Sequence, residues 1–386
     1  MKLNERKPSL GKNFDHVTLD QNGKTMVEYV WIGGLGDDLR SKSKTYTKPI
    51  YSIEDLDEWN YDGSSTRQAT TNDSEVLIRP VAIFDDPFTL RPNKICLCET
   101  YYNDGTPTNT NFRHFASRIF NEKAIEQFDP WFGIEQEYAL MKTLGNDCSW
   151  PYGWPIGSYP TPQGRYYCSV GNKNTYGRDI VYSHYKACLY AGVKIYGTNA
   201  EVMPGQWEFQ IGTCNGIEIG DHLWMARYLL QRVGEMYGVD ITFEPKPVPG
   251  DWNGSGGHTN YSDNITRNDT NMEGIYKQME KMKANHSRMV KLYGEGNEQR
   301  LTGYHETSSL SSFSHGVASR GCSVRIPRTT EKSGKGYWED RRPAANLDPY
   351  VVSSALFSTT CLDSEGLNEL EAHYLKFLDG KKQNHH

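Results

Sequence analysis

Apolar and polar residues alternate with the two-residue period of β-strands in much of the amino-terminal hundred residues. The stretch 25–47 alternates on both sides of a Gly-Gly-Leu-Gly turn and predicts a hairpin. Strand-like patterns recur at 76–84 and 94–100, whereas 59–68 is rich in Gly, Ser and Asn and predicts a polar loop. The polar stretch 1–20 offers at most one short helix. The pattern therefore predicts a small β-sheet domain at the amino terminus.

The pattern changes after the turn-rich stretch 102–111, where we place a domain boundary. Beyond it, stretches with helical periodicity alternate with pairs of strands, and Asp221 is a candidate N-cap. The proline-rich and aromatic stretch 149–167 predicts a rigid loop without regular structure. The predicted helices cover 111–128, 178–191, 220–237, 272–293, 349–360 and 367–378. The sequence predicts an α+β protein with two domains, residues 1–108 and 109–386.

Paired carboxylates lie on two of the predicted strands. Glu135 and Glu137 are separated by one residue, so a strand points both side chains to the same face. Glu201 and Glu208 flank the turn signal Pro204-Gly205, and a hairpin over that turn brings them to one face. Carboxylates this close need a counter-charge, and oxygen clusters suit Mg²⁺ or Mn²⁺. The alternative is that each pair belongs to a solvated strand face.

Basic and glycine-rich stretches supply further candidate chemistry. The stretch 251–262 combines three glycines with His258 and Asn260 on one strand face, and His258 is either a structural residue or a metal ligand. Arginines concentrate in 300–342, where guanidinium groups either form surface salt bridges or bind a substrate with several anionic groups. The sequence contains no P-loop motif. Metal-binding carboxylates and clustered arginines together indicate phosphoryl transfer.

Composition narrows the classes of partner and compartment. The 386 residues carry a net charge of −6, which disfavours nucleic acid as a partner. No apolar run approaches the ~20 residues that a bilayer-spanning helix needs, so no membrane association is expected. The amino terminus lacks a hydrophobic secretion segment, and the eight cysteines are scattered along the chain. We expect a cytoplasmic protein with reduced thiols and small-molecule substrates.

Six motifs, in order along the chain between about residues 27 and 362, resemble the eukaryotic-type (class II) glutamine synthetases. The motifs are Asn60-Tyr-Asp-Gly-Ser-Ser-Thr, Gly133-Ile-Glu-Gln-Glu-Tyr, Asn199-Ala-Glu-Val-Met-Pro-Gly-Gln-Trp-Glu-Phe-Gln, Asn253-Gly-Ser-Gly-Gly-His-Thr-Asn, Leu301-Thr-Gly-Tyr-His-Glu-Thr and Glu339-Asp-Arg-Arg-Pro-Ala. The resemblance implies a small β-grasp-like domain and a larger catalytic domain built on a curved antiparallel sheet flanked by helices. It also implies a homo-oligomer of two pentameric rings with active sites between subunits, and the ATP-dependent joining of ammonia to glutamate through a γ-glutamyl phosphate.

The resemblance also implies roles for individual residues in a site with two or three Mg²⁺ or Mn²⁺ ions. The expected metal ligands are Glu137, Glu201 and Glu208 for one ion and Glu135, His258 and Glu339 for another. The expected contacts of glutamate are Glu201, Trp252, Asn253, Gly254, Arg300, Arg320 and Arg341. The expected contacts of ATP are Trp131, Glu135, Asn260, Ser262, Arg325 and the backbone of Tyr337 and Trp338. Ammonium is expected at Asp62 of the neighbouring subunit, Tyr167 and Glu306, the last of these on a lid that excludes water.

Three other functions remain open at this level. A ligase of the same fold could join glutamate to a larger amine, although Asp62 and Tyr167 favour ammonium. A guanidino kinase is a second alternative. A non-catalytic relative with a structural role is the third, and the presence of all six matched metal ligands argues against it.

Overall fold

The computed structural model describes residues 19–143, 149–155 and 158–383. Most of the polar stretch 1–20, where at most one short helix is predicted, lies outside the described residues. The same holds for residues 156 and 157 of the predicted aromatic loop and for Cys148.

A five-stranded sheet forms the amino-terminal part and confirms the predicted hairpin. Its strands are β1 (Thr25–Ile32), β2 (Leu39–Tyr46), β3 (Trp59–Asp62), β4 (Glu75–Asp85) and β5 (Lys94–Tyr102). Their order is β2-β1-β5-β4-β3, and all pairs are antiparallel except β1 with β5. Alternation along β5 directs Cys96 and Cys98 into this part's own core and Ile95 and Leu97 into the main core. The sheet is therefore covered on both faces.

The prediction of a loop at 59–68 is wrong for the first four residues of this stretch. Residues Trp59–Asp62 form the edge strand β3, which pairs with β4 in the register Tyr61↔Val76. Tyr61 is buried and stacks on Trp31 with ring centres 4.4 Å apart. Aromatic packing thus favours a strand at the start of this stretch. The prediction of a loop rested on the small polar residues that follow the strand.

A nine-stranded sheet organises the rest of the chain. Its strands are β6 (Trp131–Thr143), β7 (Ser149–Pro151), β8 (Ile195–Ala200), β9 (Gln206–Asn215), β10 (Asp240–Thr242), β11 (Gly257–Ser262), β12 (His315–Val317), β13 (Val324–Ile326) and β14 (Trp338–Asp340). The order is β12-β13-β14-β11-β6-β9-β8, with β7 and β10 also paired to β6. Only β12 and β13 are parallel. This curled, mainly antiparallel sheet confirms the predicted α+β class, although β7 shows that 149–167 begins with a short strand.

Ten helices within the described residues flank the two sheets. They are α1 (Phe112–Ile119), α2 (Glu122–Phe128), α3 (Arg178–Ala191), α4 (Glu218–Tyr237), α5 (Asn264–Asn268), α6 (Glu273–Ala284), α7 (His286–Met289), α8 (Arg328–Ser333), α9 (Pro349–Cys361) and α10 (Leu367–Gln383). The helices α4 and α9 pack against each other and supply much of the main core, and α4 also contacts β6 and β9. No helix in the described part of the chain is long and apolar enough to cross a membrane.

Some helix boundaries differ from those that the periodicity predicts, and local polar residues explain the differences. The helix predicted at 111–128 breaks because the Asn121 side chain accepts a hydrogen bond from the Ala124 amide and starts α2. The helix predicted at 272–293 breaks at Asn285. Asp221 is not an N-cap, since α4 begins at Glu218 and Asp221 lies inside its first turn. It accepts hydrogen bonds there from Arg113 (2.8 Å) and Tyr350 (2.6 Å).

Candidate active site

The register of β6 against β9 assembles a first group of three carboxylates. Glu137 lies opposite Glu208 in the antiparallel pair. Glu201 follows β8 in the turn over Pro204-Gly205, so it reaches the same face as Glu208. Oxygen atoms of all three side chains lie within 4.8 Å of one another. The predicted convergence of these acids is thus observed, and we call this group the Glu137 triad.

The other edge of β6 assembles a second group of three. Glu135 lies opposite His258 of β11, and Glu339 is on β14, the next strand of the sheet. Ligand atoms of the three residues lie within 4.8 Å of one another. Asn260 donates a hydrogen bond to Glu135 (2.9 Å) and orients it. We call this group the Glu135 triad.

The residue between the two acids on β6 points to the opposite face. Gln136 is fully buried and its Oε1 accepts hydrogen bonds from the Arg227 guanidinium at 2.6 and 2.9 Å. Arg227 also donates to the carbonyls of Ala345 and Leu347. Fixing Gln136 in this way fixes the register in which Glu135 and Glu137 face the pocket.

The buried acids raise one another's pKa values. Burial and the neighbouring Glu201 raise the pKa of Glu137 to about 8. Burial, together with Glu135, Glu137 and Glu201, raises the pKa of Glu208 well above its usual range. Burial and the Arg341 charge hold the pKa of His258 well below its usual range, so its imidazole is neutral.

These properties fit divalent cations. Both triads offer carboxylate oxygens, and the second adds a neutral imidazole nitrogen, which is a donor set that suits Mg²⁺ or Mn²⁺. A cation in the Glu137 triad would also relieve the crowding of negative charge that raises the pKa values of Glu137 and Glu208. The residues present therefore fit the ions that the resemblance implies.

Arginines surround Glu339, which is fully buried. Arg341 donates to Glu339 Oε1 at 2.7 Å, and Arg325 forms an ion pair with the other oxygen. Alternation along the extended chain puts Glu339 and Arg341 on the pocket side. Asp340 and Arg342 lie on the buried side, where they form an ion pair at 2.7 Å. The strand thus carries two opposite ion pairs, one toward the pocket and one in the core.

Both triads open into one cavity of about 770 Å³. The predicted site residues that line it are Trp131, Glu135, Glu137, Tyr167, Glu201, Glu208, His258, Asn260, Ser262, Arg320, Arg325, Tyr337 and Arg341. A cavity of this size accommodates a nucleotide and a small second substrate.

An exposed aromatic ring and a guanidinium group lie together in the lining of this cavity. Trp131 is 40% exposed, and the Arg267 guanidinium lies 3.9 Å from its ring centre. Arg267 also donates to Ser262 Oγ (3.0 Å) and pairs with Asp129 at 2.7 Å. The side chain of Trp338 is fully buried and donates to Gln278, so the expected role of Trp338 involves its backbone alone.

A second cavity, of about 540 Å³, is lined by Gly254 and Arg300, two of the predicted glutamate contacts. Arg300 is buried and donates to the carbonyls of residues 341–343. The Asn253 amide donates to Gln163 Oε1 at 2.9 Å. Trp252 packs against Trp154 with ring centres 4.6 Å apart, inside an aromatic cluster, and so supports the loop beside this cavity.

The predicted lid carries two adjacent residues with left-handed backbone, His305 (φ 54°) and Glu306 (φ 61°). Glu306 pairs with Arg320 at 3.1 Å, and both side chains are nearly half exposed. His305 pairs with Asp251 at 2.9 Å, and its Nδ1 lies 3.2 Å from Gln163 Nε2. The lid is therefore attached to the rim of the site by the Glu306–Arg320 ion pair and by the contacts of His305 with Asp251 and Gln163.

Asp62 does not line the large cavity of its own chain in the described part of the structure. It lies in an exposed turn, where it accepts hydrogen bonds from the Ser64 amide (3.0 Å) and from the hydroxyls of Ser64 and Ser65. These donors lower the pKa of Asp62, so its carboxylate is charged at neutral pH. The expected role for Asp62 therefore requires a second subunit.

Several residues that line the cavity were not among the predicted site residues. Gln210 lies two residues after Glu208 on the same face of β9 and donates to Asn199 at 2.8 Å, which in turn donates to Glu201 at 3.1 Å. The two-residue period of the strand could have identified Gln210. Arg267 follows β11 by five residues in α5, and no local pattern indicates its contact with Trp131.

Comparisons with known proteins agree with these features. The family model described as "Glutamine synthetase, catalytic domain" matches residues 109–363. The chain is 55% identical over 343 residues to glutamine synthetase cytosolic isozyme 1-3 of Arabidopsis thaliana, covering 89% of this chain and 96% of the relative. It is equally identical, over the same shares, to the glutamine synthetase nodule isozyme of Lupinus luteus. It is 52% identical over 355 residues to a chloroplastic glutamine synthetase of Zea mays, covering 92% of this chain and 83% of the relative.

Proposed function

We infer that this chain, which belongs to the glutamine synthetase family, joins ammonia to L-glutamate at the expense of ATP and yields L-glutamine, ADP and phosphate. It is accordingly a glutamate-ammonia ligase of nitrogen metabolism. One observation supports this function above all. The Glu137 triad and the Glu135 triad lie around the same cavity as Arg320, Arg325 and Arg341. This combination suits the transfer of a phosphoryl group between two anions.

We propose that two or three Mg²⁺ or Mn²⁺ ions bind per site and that the Glu137 and Glu135 triads hold two of them. When bound, such ions neutralise the polyphosphate and make its γ-phosphorus more electrophilic. The neutral His258 and the acids with raised pKa values support this assignment.

We propose that ATP lies along the cavity with its base near Trp131 and that Asn260, Ser262, Arg325 and the backbone of residues 337–338 contact it. We propose that glutamate binds beside the nucleotide. Its proposed contacts are Glu201, Asn253, Gly254, Arg300, Arg320 and Arg341, and Trp252 supports the loop that carries two of them.

The chain's own residues then have three tasks in the reaction. Arg320 and Arg341 offset the negative charges that repel each other as the γ-carboxylate of glutamate attacks the γ-phosphate of ATP. Glu306, on the lid, keeps water from the resulting acyl phosphate. Asp62 of a neighbouring subunit and Tyr167 bind ammonium, and Asp62 accepts the proton that ammonium must lose to become a nucleophile.

We further propose that the subunits form two stacked pentameric rings with active sites between neighbours, in agreement with the position of Asp62 outside its own cavity. We also propose that the chain has two domains, residues 1–108 and 109–386, and that the protein is cytoplasmic. Relatives named both cytosolic and chloroplastic are similar to this chain, so the compartment requires localisation of the protein itself.

The test is glutamine and phosphate formation with ATP, Mg²⁺, glutamate and ammonium, and with each component omitted in turn. We expect equal amounts of both products, and only when all four components are present. Failure of a folded, oligomeric sample to form glutamine would overturn the function. Preference for ethylamine would change the acceptor, and phosphorylation of arginine or creatine would indicate a guanidino kinase.

A further inference from the structure

The carboxyl-terminal helix α10 begins after residue 363, where the family match ends. Leu367, Leu370 and Tyr374 of this helix are buried in the main core. The Tyr374 and Phe377 rings contact Phe112 of α1, with centres 5.3 and 5.6 Å apart. The helix is thus an integral part of the fold beyond the region shared with the family model.

The end of α10 reaches the turn between β1 and β2. The Phe377 ring packs directly on Gly36, where an added Cβ would lie 2.5 Å from the ring, and where φ is +81°. Lys381 Nζ lies 3.6 Å from Asp37 in the same turn and 3.1 Å from Glu295. The side chain of Lys381 therefore connects the amino-terminal sheet with the segment that precedes Arg300.

The β1–β2 turn in turn supports the turn that carries Asp62. The Gly34 amide donates to the Thr66 carbonyl at 3.0 Å, and an added Cβ at Gly34 would lie 2.3 Å from that oxygen. Gln68 donates to the Ile32 carbonyl at 3.1 Å. Arg67 and Gln68 share a small cavity of about 80 Å³ with Phe377 of α10. The contacts run without interruption from α10 through the hairpin to the Asp62 turn.

We propose that α10 is a positioning element for the ammonium step, acting through the β1–β2 turn on the turn 62–68. Phe377 and Lys381 are the positioning residues, and neither touches substrate. The inference rests on the proposed function, because it is there that Asp62 is assigned to ammonium in a neighbouring subunit.

Hydrogen–deuterium exchange of the full-length oligomer tests whether α10 holds the turn 62–68 in place. The variants are Phe377→Ala and Lys381→Met, and the control is Asp379→Asn, an exposed residue of the same helix that does not line the small cavity. We expect faster exchange in peptides covering 59–68 in both variants, with exchange in β6 and β9 unchanged. Unchanged exchange at 59–68 in both variants would overturn the proposal. If Phe377→Ala fails to fold, Lys381→Met decides the question, because it removes only a charge at the helix end.

Kinetics test the consequence for the reaction. We expect the KM for ammonium to rise about threefold or more in Lys381→Met, while the KM values for ATP and glutamate remain those of the control. Equal changes in all three constants, or none, would overturn the link to the ammonium step. Absence of glutamine synthesis by the wild type would instead contradict the proposed function, and the exchange experiment would still decide whether α10 holds the turn.

Discussion

Glu137 and Glu208 lie directly opposite each other across the antiparallel pair β6–β9, and both carboxylates are buried on the same face of the sheet. A paired, buried arrangement of like charges is unfavourable unless a proton or a cation lies between them. The two residues therefore link metal binding to the stability of the fold.

Replacing Glu208 with Gln is expected to separate stability from activity. Without divalent cations the variant should unfold about 1–3 °C higher than the wild type, because one of the repelling charges is gone. Glutamine synthesis should fall about 10²-fold or more, since a metal ligand is lost. Thermal unfolding with chelator and with Mg²⁺, alongside activity, checks both effects. Glu244→Gln, an exposed acid outside the cavity, is the control. A lower unfolding temperature for Glu208→Gln in chelator would contradict the repulsion.

Mixed oligomers are expected to reveal whether Asp62 acts in a neighbouring subunit. Asp62→Asn and Glu339→Gln should each abolish most activity in a pure oligomer that remains assembled. In a random equal mixture, about one quarter of the sites would combine an intact Glu339 with an intact Asp62 from the neighbour. Recovery of about that share of wild-type activity after co-expression, with assembly checked by light scattering, is the expected result. No recovery would mean that both residues act within one subunit.

Loss of the Glu306–Arg320 ion pair is expected to uncouple ATP hydrolysis from glutamine synthesis. Glu306→Gln removes the charge that attaches the lid to Arg320 at 3.1 Å, so water reaches the acyl phosphate more often. The ratio of phosphate released to glutamine formed should rise above the wild-type ratio. Simultaneous assays of phosphate and glutamine measure it, and Glu331→Gln in α8 is a control. An unchanged ratio with lower overall rate would assign Glu306 to substrate binding alone.

Buried His184 is expected to make the protein less stable in mild acid. Its Nε2 lies 3.0 Å from the Ala226 carbonyl, and burial lowers its pKa from 6.5 to about 4. The unfolded chain therefore binds one more proton between these pH values, so stability falls as pH decreases from about 6.5 to about 4. His184→Gln should remove a dependence of about 1.4 kcal/mol per pH unit within this window.

Urea unfolding of both proteins between pH 4 and 7 measures this difference. The buried Asp348, whose pKa is raised to about 6, acts in the opposite sense, because its contribution to stability falls as pH rises from about 4 to about 6. The difference between wild type and variant isolates His184 because Asp348 is common to both. Exposed His315→Gln is the matched control. Parallel pH curves for wild type and His184→Gln would contradict the prediction.

The sequence by itself determined the features that depend on neighbouring residues. The spacing of Glu135 and Glu137 gave their shared direction, because alternation is a property of any strand. Gly192 and Gly238 end α3 and α4 with left-handed backbone, which their lack of a side chain makes favourable. The motifs were sufficient to identify the family and to select the six residues that the structure brings together in the two triads.

Only the tertiary structure decided which strands are neighbours. Glu135 and Glu137 are two residues apart, yet one meets His258 and the other meets Glu208, because β6 pairs with a different strand on each edge. The same holds for the contact of Arg267 with Trp131 and of Lys381 with Asp37 and Glu295. Such contacts join residues that are distant along the chain, so they depend on sheet order and packing, which no local pattern contains.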